Sequence, residues 1–540
     1  MNKIGNSMIR VISDRNTLRF RYDKCSPSEV HAGYIFFGRE FVMGTDPADF
    51  FCEYGYAYPF NMAAFFDQAE AALIILDDPV FTSIHLRKND DICCFEFLLR
   101  GPADQVSYRI IPFDVNRDFL ADMIKTYQGW FIEKYGRLPA SSRDLTGCFN
   151  VKRYFFNQSD KFFGSWFAPP RAIFTDDEIQ LKELIREDCR ELGSIDAVLL
   201  FDYSFKNGIR CGNREPFPFE EEKLARLNSI INDIKREQPI HFFAYFDPCF
   251  VECGSDWDEE YRNQIMLESD DGNPVSIWGE GVWHPDLGDE LWQEECSRYL
   301  QDVMDGLNAD GVYLDEIGNG TQFKGRVRGK IYDQIRAEDR FVDHVQREAD
   351  IPKWMCEYPP AASEASKFDI VLSDTRTLVN IYRFIFPELK FVRVINCDMP
   401  IGNSADELNK AFFNGEGLWL DYDVRSKEWY PDDLKRVIRE QTLFKKKYAA
   451  FLESSDAGHC RNNGAGMAMN RFGYREDELY TVINESRFPS CGPLPFAAAD
   501  NIRIVYGDGC SFEQNGKQLL LRMPPRSVCA VLKSGTPGSS

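Results

Sequence analysis

The sequence predicts an α/β protein built on a (β/α)8 TIM barrel, with an antiparallel β domain on either side of the barrel. Short alternating runs fill residues 1–115, and eight buried strands alternate with helical segments over residues 150–450. Short strands without helices return after residue 450. Alternating strand–helix units imply a parallel sheet, and eight such units favour closure into a barrel.

Composition narrows the class of protein and of partner. The chain of 540 residues is too long for one core, and its 44% hydrophobic and 28% charged residues are typical of globular domains. A net charge of −23 without any basic run argues against nucleic acid and anionic membrane as partners. The sixteen cysteines lack zinc-ligand spacing, and no signal peptide is visible. We therefore expect a cytoplasmic protein with reduced thiols, although a secreted chain that had lost its signal would look the same.

The N-terminal part, residues 1–115, reads as a β-sandwich-like domain. Six alternating runs separated by Pro, Gly, Asn and Asp predict its strands: Ile9–Ile12, Thr17–Tyr22, Ala72–Leu76, Ser83–Leu86, Cys93–Leu99 and Val106–Ile111. Residues 116–149 are predicted to hold a connecting helix and a linker. Asn116–Tyr135 has the apolar period of an amphipathic helix, with Gly136 at its end.

Residues 150–450 contain the predicted barrel. Its eight strands are Phe162–Ala168, Ala197–Phe205, His241–Phe250, Gly311–Ile317, Lys353–Pro359, Asp369–Asp374, Phe391–Asp398 and Gly417–Tyr422. The helical segments are Asp176–Leu192, Phe219–Arg236, Asp289–Leu307, Ile331–Glu348, Ala361–Ser366, Leu378–Leu389, Ser404–Asn414 and Asp432–Lys447. This alternation, and not any single segment, supports the barrel.

Two further regions complete the chain. The connection Phe250–Gly288 is much longer than an ordinary loop after a barrel strand, which predicts either a lid over the site or a small subdomain with its own aromatic core. Residues 451–533 carry short strands separated by turn residues and are predicted to form a C-terminal β-sandwich. The Gly-, Pro- and Ser-containing tail 534–540 is expected to be disordered.

Polar side chains, most of them carboxylates, follow nearly every predicted barrel strand. The C-terminal ends of parallel barrel strands meet at one mouth, where barrel enzymes keep their chemistry. Asp also ends strands simply because it makes turns, so a charged loop would give part of the same pattern. The candidate residues at this mouth are Asp202, Tyr203, Tyr245, Asp247, Asp315, Glu316, Glu357, Asp374, Arg376, Asn396, Asp398 and Asp421, with Trp278, Trp283 and His284 from the long connection.

Paired carboxylates beside aromatic side chains point to glycoside hydrolysis. One acid attacks the anomeric carbon or activates water, and the other protonates the leaving oxygen. No phosphate-binding loop, dinucleotide fingerprint or nucleophile elbow is present, so no cofactor is predicted. No metal ligand set is predicted either, although an oxygen-rich cluster would suit Mg²⁺ or Ca²⁺. Cys356 and Cys397 precede acids within strands, and packing explains them better than a nucleophilic role.

Three short motifs carry a resemblance to retaining α-glycosidases. Asp310-Gly-Val-Tyr-Leu-Asp315 resembles their fourth-strand nucleophile segment, Met355-Cys-Glu357 falls where their acid/base residue stands, and Val394-Ile-Asn-Cys-Asp398 resembles their seventh-strand Asn-x-Asp. The layout is similar to the α-amylase superfamily and to bacterial endo-α-N-acetylgalactosaminidase-like hydrolases. The resemblance implies that Asp315 is the nucleophile, Glu357 the general acid/base and Asp398 a substrate ligand. Tyr313 stands where α-amylases have an arginine, which departs from starch-type enzymes.

Several alternatives remain open at this point. Within enzymes, the chain is also similar to an α-galactosidase-like hydrolase in which Asp374 would be the acid/base residue. A one-residue slip of the fourth strand would put Glu316 in place of Asp315 at the mouth. A barrel that binds carbohydrate without turnover would have the same features, and so would a metal-dependent lyase or isomerase. A carbohydrate substrate is the expected partner in the main interpretation; oligomeric state is not predicted.

Overall fold

A computed structural model describes most of the chain. The residues described are 2–4, 7–15, 17–23, 33–36, 39–42, 49–53, 61–66, 71–77, 81–88, 92–99, 102–114, 116, 119–156, 171–175, 178–204, 206, 209, 211–276, 281–318, 326–327, 330–331, 334–360, 362–373, 378–395, 404–420, 430–460, 467–497 and 501–535. Among them, no helix is both long and apolar enough to span a lipid bilayer.

The N-terminal part forms two antiparallel sheets, as the alternating sequence predicted. The first sheet has six strands, which lie in the order Asn2–Ile4, Ser7–Asp14, Thr17–Asp23, Ile92–Leu99, Phe81–Lys88 and Asp49–Glu53. The second has five, in the order Tyr108–Phe113, Ala71–Leu76, Met62–Phe66, Gly33–Phe36 and Arg39–Val42. Ala71–Leu76 is buried along its whole length, so this strand is central to the packing of the domain.

The helix Phe119–Tyr135 joins this domain to the barrel. Its apolar face is buried, and Gly136 ends it in the left-handed conformation at φ 87°. The hydroxyl of Tyr127 donates to the side chain of Asn61 at 2.6 Å on the N-terminal side. Gln128 Nε2 donates to the carbonyl of Phe384 at 3.1 Å on the barrel side. The helix is therefore hydrogen-bonded to both neighbours and fixes one against the other.

Eight parallel strands close into a barrel, which confirms the predicted fold. In spatial and chain order they are Asn150–Phe155, Ala197–Phe201, His241–Phe246, Gly311–Leu314, Trp354–Cys356, Ile370–Ser373, Lys390–Ile395 and Gly417–Leu420. Closure comes from pairing of the first strand with the eighth, where Asn150 lies opposite Leu418. We number them as barrel strands one to eight.

The first barrel strand corrects the sequence prediction. Phe162–Ala168 was expected to form it, but that segment lies outside the described residues, and Asn150–Phe155 occupies the position. Lys152 and Arg153 interrupt the apolar pattern of this strand, so the pattern did not predict it. Both cations lie against aromatic rings: the Arg153 guanidinium is 4.9 Å from the ring of Phe155, and Lys152 Nζ is 5.2 Å from that of Tyr154.

Helices follow the strands as predicted, with shorter ends. Around the barrel they are Leu181–Leu192, Glu221–Glu237, Glu290–Gly306, Gln334–Glu348, Ile381–Ile385, Ser404–Asn414 and Asp432–Lys447, and a 3₁₀ turn covers Ala362–Lys367. Additional short elements are the helices Asp256–Ile265 and Ala449–Leu452, the 3₁₀ turns Ala103–Gln105 and Arg143–Leu145, and the two-residue strands Val251–Glu252, Val282–Trp283, Arg326–Val327 and Lys330–Ile331.

Side chains alternate between the inside and the outside of the barrel. The inward set packs as one cluster that includes Val151, Phe155, Ala197, Leu199, Phe201, Phe243, Tyr313, Met355, Ile370, Leu372, Val392 and Trp419. Their neighbours along each strand, such as Val312 and Leu314, pack outward in the larger cluster with the helices. This register decides which strand-end residues can face the mouth.

The long connection after the third strand is a small subdomain. Val251–Glu252 pairs with Val282–Trp283, and Ser255 caps the helix Asp256–Ile265 by accepting a hydrogen bond from the amide of Asp258 at 3.2 Å. Trp257 is buried on this helix and meets Trp292 edge-on, with ring centroids 4.9 Å apart. Because Trp292 belongs to the barrel helix Glu290–Gly306, Trp257 packs onto the barrel and not into the separate aromatic core that was one of the two predicted alternatives.

The C-terminal part forms two antiparallel sheets. One has five strands in the order Ala457–Cys460, Met467–Tyr474, Asp477–Asn484, Ser527–Ser534 and Asn501–Tyr506; the other has three, in the order Ser490–Ala497, Gln518–Met523 and Ser511–Asn515. A cluster of apolar side chains fills the space between them. The helix Ser404–Asn414 contacts this domain, so the sheets pack against the barrel.

Candidate active site

Three carboxyl groups follow three adjacent barrel strands on the inward side. Tyr245, Tyr313 and Met355 point into the barrel on strands three, four and five. Two positions further along each strand, at its C-terminal end, stand Asp247, Asp315 and Glu357. The register therefore gives the inward position to Asp315 and not to Glu316.

Asp315 is held by two tyrosine hydroxyls, one on each carboxylate oxygen. The Tyr313 hydroxyl donates to Oδ1 at 2.8 Å, and the Tyr245 hydroxyl donates to Oδ2 at 2.7 Å. The amide of Asp315 also donates to the carbonyl of Phe246 at 2.8 Å, which ties the end of strand four to strand three. Two short O–H···O bonds fix the carboxylate in one orientation and stabilise its negative charge.

The same contacts keep both phenols protonated. Burial and the negative charge of Asp315 raise the pKa of Tyr245 and of Tyr313 well above the ordinary value of a tyrosine. A protonated phenol remains a hydrogen-bond donor over the whole working range of pH. In the sequence, Tyr313 was noted only because it stands where α-amylases have an arginine, and it was not assigned a role in the site. Its spacing of two residues before Asp315, on the same face of the strand, was the available signal.

Glu357 lies beside Asp315 on strand five in a different environment. Its Oε2 accepts a hydrogen bond from the backbone amide of Glu316 at 2.8 Å. Burial raises the pKa of Glu357 well above that of an ordinary glutamate, and the nearby charges of Asp315 and Glu316 raise it further. The site therefore combines a carboxylate held by donors with a neighbouring carboxyl group that tends to keep its proton.

Asp247 is the third member of the row. Its Oδ1 accepts a hydrogen bond from the amide of Cys249 at 2.8 Å, and the Tyr245 hydroxyl lies 3.5 Å from its Oδ2. Burial and the charge of Asp315 raise the pKa of Asp247 well above the ordinary aspartate value. Tyr245 thus lies between two acids, and Asp247 is close enough to Asp315 to resist ionising beside it.

Two strand-end residues have a left-handed backbone. Asp202, after strand two, has φ 67°, and Glu316, after strand four, has φ 60°; both are buried. Residues other than glycine adopt this conformation at a cost, and such strain concentrates at functional sites. Both residues were singled out from the sequence.

The aromatic candidates take part in packing. Tyr203 is buried, and its hydroxyl donates to the carbonyl of Tyr245, so it braces the end of strand three from behind. Trp283 pairs with Val251 in the short ladder of the subdomain. His284 is buried, its Nδ1 donates to the carbonyl of Pro285 at 2.7 Å, and burial lowers its pKa to about 4. A neutral imidazole at this place supports the subdomain.

The remaining predicted site residues lie outside the described part of the chain. These are Trp278, Asp374, Arg376, Asn396, Asp398 and Asp421. Among the residues that the structure describes, no group of three or more His, Cys, Asp or Glu side chains is arranged to hold a metal ion.

Comparison with known proteins finds similarity in structure. By sequence, the chain matches no family model and none of the curated proteins. Its structure is similar to the GH36 α-galactosidase from Geobacillus stearothermophilus, with a TM-score of 0.57 and 13% identity over 96% of this chain and 80% of that one. A cycloalternan-degrading enzyme from Trueperella pyogenes gives a TM-score of 0.60 at 12% identity, covering 96% of this chain and 81% of the other.

The α-N-acetylgalactosaminidase from Bifidobacterium bifidum is similar as well. It gives a TM-score of 0.59 at 12% identity, covering 87% of this chain and 83% of that chain. Identities this low establish a common architecture and leave the chemistry to the site itself. The chain therefore has the fold of these glycoside hydrolases, a (β/α)8 barrel between an N-terminal and a C-terminal sheet domain.

Proposed function

We propose that this protein is a glycoside hydrolase that cleaves an α-linked glycan or oligosaccharide by a retaining, double-displacement mechanism. One observation carries the proposal: Asp315 and Glu357 stand side by side on adjacent barrel strands in opposite environments. A carboxylate held by two hydroxyl donors beside a carboxyl group whose pKa is raised is what the two roles require.

In this mechanism Asp315 is the nucleophile. Its two tyrosine partners hold one oxygen each, so the anion is oriented before substrate arrives and reorganises little as its charge moves to the sugar. Attack on the anomeric carbon forms a covalent glycosyl–enzyme intermediate while the glycosidic oxygen leaves. Water then releases the sugar with the original configuration.

Glu357 is the general acid and then the general base. A raised pKa keeps its proton available at neutral pH, and that proton goes to the leaving oxygen in the first step. Glu357 is then ionised, and it takes a proton from the attacking water in the second step. Carboxyl groups of retaining enzymes lie about 5–5.5 Å apart, closer than in inverting enzymes. Asp315 and Glu357 follow directly adjacent strands, where Leu314 is paired with Cys356, which supports the shorter spacing.

The proposed substrate class rests on the similar structures. Two of the three proteins compared are named as α-glycosidases, and further structures of the same α-galactosidase hold raffinose or stachyose. An α-linked galactoside or N-acetylgalactosaminide is therefore the first substrate to test.

The test is a screen of 4-nitrophenyl and 4-methylumbelliferyl glycosides with the wild type, Asp315→Asn and Glu357→Gln. We expect hydrolysis of one α-glycoside, loss of at least about 10³-fold in kcat for Asp315→Asn, and retention of configuration by NMR. Asp310→Asn is the matched control, because Asp310 is at the opposite end of the same strand, paired with Lys235 at 2.8 Å. Full activity of Asp315→Asn would refute the nucleophile assignment. Binding of glycans without any hydrolysis would instead indicate a carbohydrate-binding protein.

A second candidate within the same class is an α-galactosidase-like hydrolase with Asp374 as acid/base residue. The similarity to α-galactosidase structures favours it, and in the sequence Asp374 directly follows strand six, Ile370–Ser373. Leaving groups that need no protonation distinguish the two candidates. Glu357→Gln and Asp374→Asn are therefore compared on a 2,4-dinitrophenyl glycoside and on natural glycans. The variant that lacks the true acid/base residue should still form the glycosyl–enzyme intermediate from the dinitrophenyl glycoside, but it should lose activity on natural glycans.

A further inference from the structure

The turn after strand four is tied closely to the end of strand five. Glu357 donates its amide to the carbonyl of Leu314 at 3.3 Å, and Tyr358 donates to the carbonyl of Ile317 at 3.1 Å. In the opposite direction, the amide of Glu316 donates to the side chain of Glu357 at 2.8 Å. The turn that follows Asp315 is therefore fixed against the carboxyl group with which Asp315 is paired.

The backbone of Glu316 makes this contact possible. Its φ of 60° lies in the left-handed region, a conformation that residues with a Cβ rarely adopt. Within a regular strand its amide would have continued the ladder; after this turn it meets the Glu357 carboxyl group. Gly318 completes the turn at φ 95°, where a Cβ would collide with the carbonyl oxygen of Tyr358. Two left-handed residues in three positions therefore adapt this turn to strand five.

The side chain of Glu316 also acts on Glu357, through its charge. It is only 5% exposed, and its negative charge raises the pKa of Glu357, whereas its amide lowers that pKa. Among the described residues, Asp315 and Tyr313 from strand four also act on Glu357, as does Cys356 beside it on its own strand. Glu316 therefore affects the pKa of Glu357 in two opposite directions: its backbone amide lowers that pKa and its carboxylate raises it.

We infer that Glu316 is a positioning residue that orients the Glu357 carboxyl group through its backbone amide and acts on it through its buried carboxylate. The inference rests on the proposed function, because it assigns Glu316 a part in the acid/base step of that reaction. Glu316 itself need not touch the substrate: Asp315 takes the inward position, and Glu316 acts through Glu357. The strained backbone is retained because a relaxed turn would move the amide away from Oε2.

The test uses Glu316→Gln, which removes the charge and keeps the side chain's size, and Glu316→Gly, which removes the charge and adopts the left-handed backbone without strain. The titration midpoint of Glu357 is read by ¹³C NMR of the protein labelled at glutamate Cδ, with its signal assigned by its loss in Glu357→Gln. We expect both variants to lower that midpoint by about 1 pH unit. The alkaline limb of kcat/KM should move to lower pH by the same amount.

The matched control is Glu338→Gln. Glu338 is as buried as Glu316, at 3% exposure, but it is not one of the groups with the largest effects on the pKa of Glu357. We expect its replacement to leave the Glu357 midpoint unchanged. An unchanged midpoint in Glu316→Gln, or an equal shift in Glu338→Gln, would overturn the inference. The NMR midpoint does not depend on turnover. If the wild type cleaves no α-glycoside and the Glu316 variants still lower the Glu357 midpoint, the proposed function is contradicted while the coupling between Glu316 and Glu357 is supported.

Discussion

The hydroxyl of Tyr313 donates to Oδ1 of Asp315 at 2.8 Å, two positions before it at the end of the fourth barrel strand. The bond is possible because residues two apart on a strand share a face. Tyr313 belongs to the apolar packing of the barrel interior through its ring, and to the site through its hydroxyl. A single side chain therefore connects the core of the barrel to the candidate nucleophile.

Tyr313→Phe should reduce kcat by about 10- to 100-fold, because a hydrogen bond to a charged group contributes about 1.5–3 kcal/mol. Tyr245→Phe should have a similar effect on the other oxygen of Asp315, and steady-state kinetics would measure both. Tyr480→Phe is the matched control, since the Tyr480 hydroxyl donates to the carboxylate of Glu478 at 3.0 Å in the C-terminal sheets. Unchanged kcat in Tyr313→Phe would show that Asp315 does not need this donor.

Glu357→Gln should abolish the acid/base step and yet stabilise the fold at neutral pH. The pKa of Glu357 is raised in the folded state, mainly by burial, so above the ordinary glutamate pKa the folded protein binds one proton more than the unfolded chain. Wild-type stability therefore falls as pH rises through that window, and a neutral amide avoids the loss. Calorimetry should show a higher Tm for Glu357→Gln at about pH 7.5 and an equal Tm at about pH 4. A lower Tm at the higher pH would contradict this prediction.

The barrel was predictable from the sequence because seven of its strands are short apolar runs that end on polar residues. The first strand was not, because Lys152 and Arg153 look like surface residues. Their charges rest on aromatic rings, and the Arg153 guanidinium also lies 5.0 Å from the ring of Phe201 on the next strand. A contact between strands more than forty residues apart leaves no local pattern in the sequence.

The sequence was enough to predict which acids stand at the ends of the barrel strands. It was not enough to predict which residues donate hydrogen bonds to those acids. Alternation along strand four is enough to distinguish the faces of Asp315 and Glu316 once the register is known. Which donors hold Asp315 depends on the packing of strand three against strand four, where Tyr245 lies opposite Tyr313. The aromatic residues of the long connection were expected at a ligand or in a core of their own, but Trp257 packs against Trp292 and Tyr299 on a barrel helix, a contact that the sequence of the connection alone does not reveal.

A buried lysine outside the site should lower stability. Arg393 pairs with Glu416 at 2.6 Å and with Glu407 at 3.0 Å, and Lys410 pairs with Glu407 at 2.9 Å, so these charges balance. Lys445 is buried next to this network, and its ammonium has no hydrogen-bond partner among the described residues. Burial lowers the pKa of Lys445 to about 7.

Lys445→Met should therefore stabilise the protein by about 1–3 kcal/mol near pH 6, since an unpaired buried charge is replaced by an apolar chain of similar length. The folded-state pKa of Lys445 lies below its ordinary value, so wild-type stability falls as pH decreases from about 10.5 to about 7 and then levels off. The gain from the substitution should shrink towards pH 10, as measured by urea unfolding. Lys447→Met, an exposed neighbour on the same helix, is the control. A gain that does not vary with pH would refute the assignment to Lys445 ionisation.

Gly318→Ala should damage both stability and activity. Gly318 has φ 95°, and an added Cβ would collide with the carbonyl oxygen of Tyr358, a backbone atom that cannot rotate away. The turn would have to move, and with it the amide of Glu316 that holds Glu357. We expect a loss of more than about 2 kcal/mol in the free energy of unfolding, from the collision added to the left-handed strain.

Gly516→Ala separates these two contributions. Gly516 also has a positive φ, at 62°, but it lies in an exposed hairpin of the C-terminal sheets with no atom within 4 Å of an added Cβ. Its substitution should therefore cost only the left-handed strain, about 1–2 kcal/mol, and should leave kcat unchanged. Only Gly318→Ala should suffer the collision, which adds a further loss of stability. Only in that variant should the amide of Glu316 be displaced, which lowers kcat. Equal unfolding energies for the two variants would show that strand five yields to the added methyl group, and the turn would then not be the rigid support that its contacts indicate.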